Sequence, residues 1–218
     1  GEASLTVTPL AASTFVLSGI PEQSVAGVAY DVSVTAKDQF GNVASGYGGT
    51  VQFSSTDPAA TVPASYAFQA ADAGVRSFPG GVTFATAGAW TFQTTDAASP
   101  SITASVSTEV AAGPARRLQF TVQPFGAIAG EAIAPPVVVT AYDAFANQAS
   151  AFTGLVSVGI GTNPAGGMLS GTLQVAAVDG VATFSALAVD QAGSGYTLVA
   201  SSPALTGASV SPIMVSLP

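Results

Sequence analysis

Apolar and polar residues alternate in short runs along the whole chain. Residues 30–37 set Tyr30, Val32, Val34 and Ala36 against Asp31, Ser33, Thr35 and Lys37. A period of two is that of a half-buried β-strand, so the first set is the expected core face. Further strands are expected at residues 14–18, 50–54, 66–69, 75–78, 81–85, 89–95 and 102–110, separated by Gly, Pro, Asn and Asp. Short strands at this spacing belong to a sandwich or a barrel. No sustained apolar pattern at i, i+3, i+4 and i+7 occurs, which argues against amphipathic helices. The chain reads as all-β.

The pattern then repeats. Val32-Ser-Val-Thr-Ala-Lys-Asp38-Gln-Phe40-Gly-Asn42 matches Val137-Val-Val-Thr-Ala-Tyr-Asp143-Ala-Phe145-Ala-Asn147 at an offset of 105. In the same register Tyr47 falls on Phe152, Gly49 on Gly154, Val51 on Val156 and Phe53 on Val158. Gly74 to Phe78 matches Gly180 to Phe184, and Trp90-Thr-Phe92 matches Tyr196-Thr-Leu198. Upstream, Ala26-Gly27 matches Ala129-Gly130 at an offset of 103, so two extra residues enter near Pro135-Pro136. The inward set of the second repeat is Val137, Val139 and Ala141, joined by Val156, Val158, Phe184 and Leu198. Burying each of them contributes about 1.5–3 kcal/mol.

A period near 105 residues suits one independent sandwich domain rather than a solenoid unit. The expected division is 1–111 and 112–218. Residues 1–10 resemble the end of a preceding repeat, since Leu5-Thr-Val7 matches Thr108-Glu-Val110. That predicts a segment taken from a longer array.

Two stretches narrow the all-β choice. Ala87-Gly88-Ala-Trp90-Thr-Phe92 and Ala192-Gly193-Ser-Gly-Tyr196-Thr-Leu198 are similar to the E–F corner of an immunoglobulin domain, with an aromatic two residues before an inward position. Phe92 and Leu198 stand where antibody domains carry cysteine, so apolar packing takes the place of an inter-sheet disulfide. Trp90, Tyr196, Phe92 and Leu198 are therefore assigned to the corner and core. Together with the Asp-x-Phe-Gly-Asn turn and Gly46-Tyr47-Gly48-Gly49-Thr50-Val51, they give a chain that resembles bacterial immunoglobulin-like repeats of the invasin and intimin type. It is also similar to the Ala-, Thr- and Gly-rich arrays of large secreted bacterial proteins. The resemblance implies two tandem immunoglobulin-like β-sandwich domains and an extracellular spacer or adhesin stalk.

Composition removes alternatives. Only 7% of the residues are charged, against roughly 25% in ordinary soluble domains, while hydrophobic types reach 48%. Ser, Thr and Gly must coat the surface. The most apolar stretch, 127–139, is broken by Glu131 and Pro135-Pro136, so membrane insertion is not expected. There is no Cys and no His, which excludes thiolate metal sites, disulfides and the commonest general base. A net charge of −8, with Lys37, Arg76, Arg116 and Arg117 the only cations, is the wrong sign for nucleic acid. No Ser/His/Asp or Cys/His set is available, so no catalytic residue is assigned and an enzyme is not expected.

A few residues still carry chemistry. Asp38, Asn42, Asp143 and Asn147 are calcium candidates by ligand type, and calcium is the one cofactor the chain suggests. Turn chemistry is the competing reading, because Asx side chains cap their own backbone and calcium takes about 6–8 oxygens. Asp57, Asp72, Asp96, Asp179 and Asp190 read as solvated loop acids. Tyr47 and Phe152 read as exposed rings and weak sugar platforms. Lys37 falls on the outward phase, where a buried cross-linking amine is not expected. Arg116-Arg117 is placed to bridge to loop acids at a joint.

The leading expectation is a non-catalytic spacer repeat of a secreted or cell-surface bacterial protein, with neighbouring repeats of the same chain as partners. The alternative is a glycan- or protein-binding accessory module of a secreted protein or hydrolase. Self-association through edge strands is a third expectation, with residues 5–8 as a strand that adds to a neighbouring sheet.

Overall fold

The computed structural model describes residues 8–218. The match of residues 5–7 to 108–110, and all but Thr8 of the segment expected to add to a sheet, lie outside the described residues. The chain divides into two compact units, Gly1–Ala111 and Ala112–Pro218.

In the first unit the strands are β1 (Thr14–Ser18), β2 (Gln23–Val25), β3 (Ala29–Lys37), β4 (Thr50–Ser55), β5 (Tyr66–Ala67), β6 (Val75–Thr83), β7 (Gly88–Asp96) and β8 (Thr103–Ala111). One sheet runs β1-β3-β6 and the other β2-β8-β7-β4-β5. Pairing is antiparallel except for β2 beside β8. Alternation fixes which side chains meet. Phe15, Val34 and Ala36 of the first sheet pack with Val51 of the second, and Val32 and Val82 pack with Phe92 and Val110. Phe53 bridges the layers, with ring centroids 4.9 Å from Phe78 and 5.8 Å from Phe92. Lys37 stands on the outward phase of β3.

Three local departures from the sequence expectation have physical causes. Residues 75–78 and 81–85, read as two strands, are replaced by the single strand β6, which ends at Thr83. Tyr30 faces Val82 and Val32 faces Phe78, so Pro79, Gly80 and Gly81 bulge opposite Asp31. Asp31 accepts the Gly80 N–H at 2.7 Å, which holds the bulge within the strand. The strand expected at 66–69 stops at Ala67, because the Gln69 N–H turns to Asp72 at 2.7 Å and opens a 3₁₀ turn over Ala70–Asp72. Strand β2 was not expected. Its three residues are ordered by pairing with β8 rather than by alternation of their own.

The second unit holds β9 (Arg117–Val122), β10 (Ala127–Ile128), β11 (Val137–Tyr142), β12 (Leu155–Ile160), β13 (Leu169–Ser170), β14 (Gln174–Ala176), β15 (Val181–Phe184), β16 (Ala188–Val189), β17 (Gly193–Tyr196), β18 (Leu198–Ser201), β19 (Ala208–Ser209) and β20 (Ile213–Ser216). Its first sheet, β9-β11-β15, repeats β1-β3-β6. Its second layer is two pieces, β14-β12-β18-β19 and β10-β20-β17, because the strands equivalent to β7 and β8 are each interrupted. Strand β10 again runs parallel to the last strand. Val137, Val139, Val156, Phe184 and Leu198 are all fully buried. First, third and sixth strands in one layer, with the fourth, seventh and eighth in the other, make an immunoglobulin-like β-sandwich.

The same backbone device precedes β6 and β15. Ala73-Gly74 takes φ of 47° and 80°, and Asp179-Gly180 takes 50° and 79°. These tight left-handed pairs turn the chain into the strand in both units.

Candidate functional site

The turn after β3 is built around one carboxylate. Asp38 Oδ1 accepts the N–H groups of Phe40 and Asn42, both at 2.9 Å. Its Oδ2 accepts the Asn42 side-chain amide at 3.1 Å and the Leu10 N–H at 3.0 Å. Asp143 repeats the set after β11, with Oδ1 accepting from Phe145 at 2.8 Å and Asn147 at 2.9 Å. Its Oδ2 accepts from the Asn147 amide at 2.8 Å and Gly113 at 2.9 Å. Leu10 and Gly113 are 103 positions apart, the offset of the upstream match. Each carboxylate thus ties the segment that leads into the first strand of its unit to the turn that closes the third strand.

Both acids are almost wholly buried, at 2% and 1% exposure. Burial alone pushes a carboxyl pKa up. At Asp143 the Asn147 amide and the N–H groups of Gly113, Asn147 and Phe145 more than offset it and hold the pKa below the ordinary value. At Asp38 the Leu10, Asn42 and Phe40 donors do the same. Of the four calcium candidates, Asp38 and Asp143 have both carboxylate oxygens engaged by N–H donors, and Asn42 and Asn147 supply side-chain amide donors to them. Among the described residues no three acidic side chains gather as a metal-ligand group.

The two turns differ at one residue. Gly41 has φ 83° and its counterpart Ala146 has φ 68°. A Cβ at position 41 would meet nothing within 4 Å, so Ala146 carries only the backbone penalty of the left-handed region. Ala146→Gly should raise the stability of the second unit by about 0.5–1 kcal/mol and Gly41→Ala should lower that of the first, as urea unfolding would read.

Two acids read as solvated are buried. Asp57 is 3% exposed and Asp96 4%. Asp57 accepts the N–H groups of Ala59, Ala85 and Thr86 at 3.0, 2.8 and 3.1 Å, linking the end of β4 to the corner before β7. Asp96 accepts from Ala98 and Ser99 at 2.8 and 2.7 Å and from the Tyr47 hydroxyl. At both, burial pushes the pKa up and these donors bring it below the ordinary value. All four buried acids accept the N–H two residues on, the mark of an Asx turn. Asp72 also departs from a solvated acid. It caps the 3₁₀ turn, accepts the Tyr66 hydroxyl at 3.0 Å and pairs with Arg76 at 3.3 Å. Asp179 and Asp190 are exposed, and Asp190 accepts the Met168 N–H at 2.7 Å.

Tyr47 and Phe152 are half-buried rather than exposed. Tyr47 packs edge-on against Phe15 and Phe68, at 5.5 and 5.0 Å, and burial and Asp96 raise its pKa. Phe152 packs against the core of the second unit. Neither ring is a free platform. Tyr47 and Asp96, with Pro9, Leu10, Gly46 and Gly49, line a hollow of about 600 Å³. Arg117 lies 4.9 Å over the Tyr142 ring and donates to Gln119 at 2.9 Å.

The corner aromatics part company. Trp90 Nε1 donates to the Thr86 carbonyl at 2.6 Å, reaching back along the chain as a corner residue does. The second repeat has an extra residue here, Gly195 at φ 94°, and pairing slips between Ser194 and Tyr196. Tyr196 is consequently 1% exposed, with a hydroxyl that has no hydrogen-bond partner among the described residues. Phe92 and Leu198, two residues on, are at 0% in both cores. Tyr196→Phe should therefore stabilise the second unit by about 1 kcal/mol in thermal unfolding, because an unpaired buried donor is removed.

No protein-family model matches the chain, and no curated protein matches it. Many solved structures are weakly similar, three of them as follows. The Escherichia coli adhesin FdeC matches at 17% identity and a TM-score of 0.46, covering 96% of this chain and 66% of the adhesin chain. Surface layer protein SbsC, domains 4–9, matches at 18% and 0.40, over 96% of this chain and 31% of that one. A glycosyl hydrolase family 2 member from Bacteroides cellulosilyticus matches at 12% and 0.40, over 88% of this chain and 24% of that one. The chain spans less than two thirds of each of these.

What the arrangement does chemically is hold backbone. Each buried carboxylate fixes two or three chain segments, and its oxygens are occupied in doing so.

Proposed function

We propose that this chain is a non-catalytic structural segment of a secreted or cell-surface bacterial protein, in which two independently folding sandwich domains serve as spacers in a longer array. The observation that carries this reading is the carboxylate staple, repeated with the same four donors in both units. It ties the segment that leads into each unit to the turn after its third strand, so tension entering there passes into the paired strands. The pairs β2-β8 and β10-β20 run parallel. Pulling the ends of a unit apart loads their hydrogen bonds in shear rather than one at a time. The resemblance of the Asp-x-Phe-Gly-Asn turn to bacterial surface repeats supports the extracellular setting.

Single-molecule pulling on the intact chain tests the reading. A spacer predicts two separate unfolding events, each releasing roughly 300 Å of chain. A single event, or smooth extension with none, would contradict it.

A further inference from the structure

The loop between β4 and β5 carries the chain's one Asp–Pro bond, Asp57–Pro58. Proline sets this bond apart from the links that follow the other aspartates. Its nitrogen bears no hydrogen, so it cannot attack the aspartate side chain and divert the pair into a cyclic imide. What is left to the side chain is attack on its own main chain, as an intramolecular nucleophile. An Asp57 side-chain oxygen bonds to the Asp57 carbonyl carbon and closes a five-membered anhydride. The C–N bond to Pro58 breaks. The carboxyl proton passes through solvent to the proline nitrogen, which leaves as a secondary amine. Water then opens the anhydride, and Asp57 becomes a C-terminus and Pro58 an N-terminus.

The fold holds that carboxyl away from the reaction. Its Oδ1 accepts the Ala59 N–H at 3.0 Å, and its Oδ2 accepts the N–H groups of Ala85 and Thr86 at 2.8 and 3.1 Å. The Ala60 N–H donates to the Asp57 carbonyl at 3.2 Å and closes a tight turn with proline in second place. Asp57 is 3% exposed, whereas Pro58 stands at the surface. Either oxygen reaches the carbonyl carbon only by leaving its donors, two of which belong to the corner before β7. The groups that act most strongly on the carboxyl are these N–H donors and the Thr86 side chain, and none is charged. Acid weakens their hold by protonating the carboxyl, and it supplies the proton that the leaving nitrogen needs. The second unit has Thr162-Asn163-Pro164-Ala165 where the first has Thr56-Asp57-Pro58-Ala59, so an amide takes the place of the acid. That amide donates to the Gly167 carbonyl at 2.8 Å.

We infer that Asp57–Pro58 is a latent self-scission site, closed in the folded first unit and opened when acid releases the Asp57 side chain from its donors. The cut falls between paired strands. Strand β4 stays joined to β7 from Val51 to Ser55, so the two pieces part only when the first unit unfolds. Scission turns acid unfolding of that unit into a permanent break.

Mass spectrometry under denaturing conditions, on the intact chain kept warm in dilute acid, tests the assignment. The expected result is one pair of fragments, 1–57 and 58–218, with Asn163–Pro164 uncut and the chain whole after the same time at neutral pH. Asp57→Asn and Pro58→Ala should each lower the yield of that pair about 10-fold or more. At a mildly acidic pH where the first unit stays folded, urea should speed the cut about 10-fold or more, because cleavage then follows the opened fraction. A chain that stays whole in acid would overturn the proposal, and so would a cut whose rate urea leaves unchanged.

Discussion

Gly180→Ala should destabilise the second unit by about 3 kcal/mol or more. Two effects add. The position has φ 79°, which an alanine adopts only at a cost of about 1–2 kcal/mol. An added Cβ would also lie 2.6 Å from the Ala149 carbonyl oxygen, a backbone atom that cannot rotate away. The Ala141 N–H donates to the Gly180 carbonyl at 2.8 Å, so moving Gly180 pulls on β11 as well. Gly74→Ala meets the same obstacle in the first unit, 2.6 Å from the Ala44 carbonyl oxygen. Trp90 is the chain's only tryptophan and lies in the first unit, which gives a readout of each half. With independent domains, Gly180→Ala should shift urea unfolding followed by circular dichroism and leave the Trp90 fluorescence midpoint where it was. Gly74→Ala should move the fluorescence midpoint.

Asp143→Ala comes next, with an expected loss of about 3 kcal/mol, because four N–H donors, that of Gly113 buried and the others partly so, lose a charged acceptor together. Asp143→Asn is the sharper variant, keeping the shape and removing the charge. The pH dependence follows from the direction of the pKa. The folded state holds the Asp143 carboxyl below its unfolded value, so the stabilisation is complete above the ordinary carboxylate range, near pH 4. It is lost as pH falls through the folded-state pKa. Asp38, Asp57 and Asp96 share that direction, so the wild type should lose stability steeply in acid, taking up several protons on unfolding. Asp143→Asn should be less stable than wild type at neutral pH, and the difference should shrink in acid. A gap that is constant across pH would mean that the Asp143 charge does nothing.

The strand pattern was legible because one face of each strand is buried and alternation records it. Val32, Val34 and Ala36 read inward and are inward. The β6 bulge was not legible, since Pro79-Gly80 reads as a break unless the Asp31 carboxylate that holds it is known. The staples were only half legible. The repeat marked Asp38 and Asp143 and turn chemistry gave their role, but the donors Leu10 and Gly113 lie about 30 residues away and contribute only backbone. Asp57 and Asp96 were misread for the same reason. A charged side chain suggests solvent, and what offsets its burial is main-chain N–H, which no side-chain pattern displays. Tyr47 looked exposed within Gly46-Tyr47-Gly48-Gly49, whereas its ring fills the rim of the core.

The most direct test of the staple follows the side-chain carboxyl carbons of Asp38 and Asp143 by NMR through an acid titration, with and without millimolar calcium. Buried carboxylates saturated by N–H donors should titrate below the ordinary range, together in the two units and unmoved by the ion. Titration at or above that range, or a shift of either carbon on adding calcium, would contradict the account and make these turns ligand sites instead.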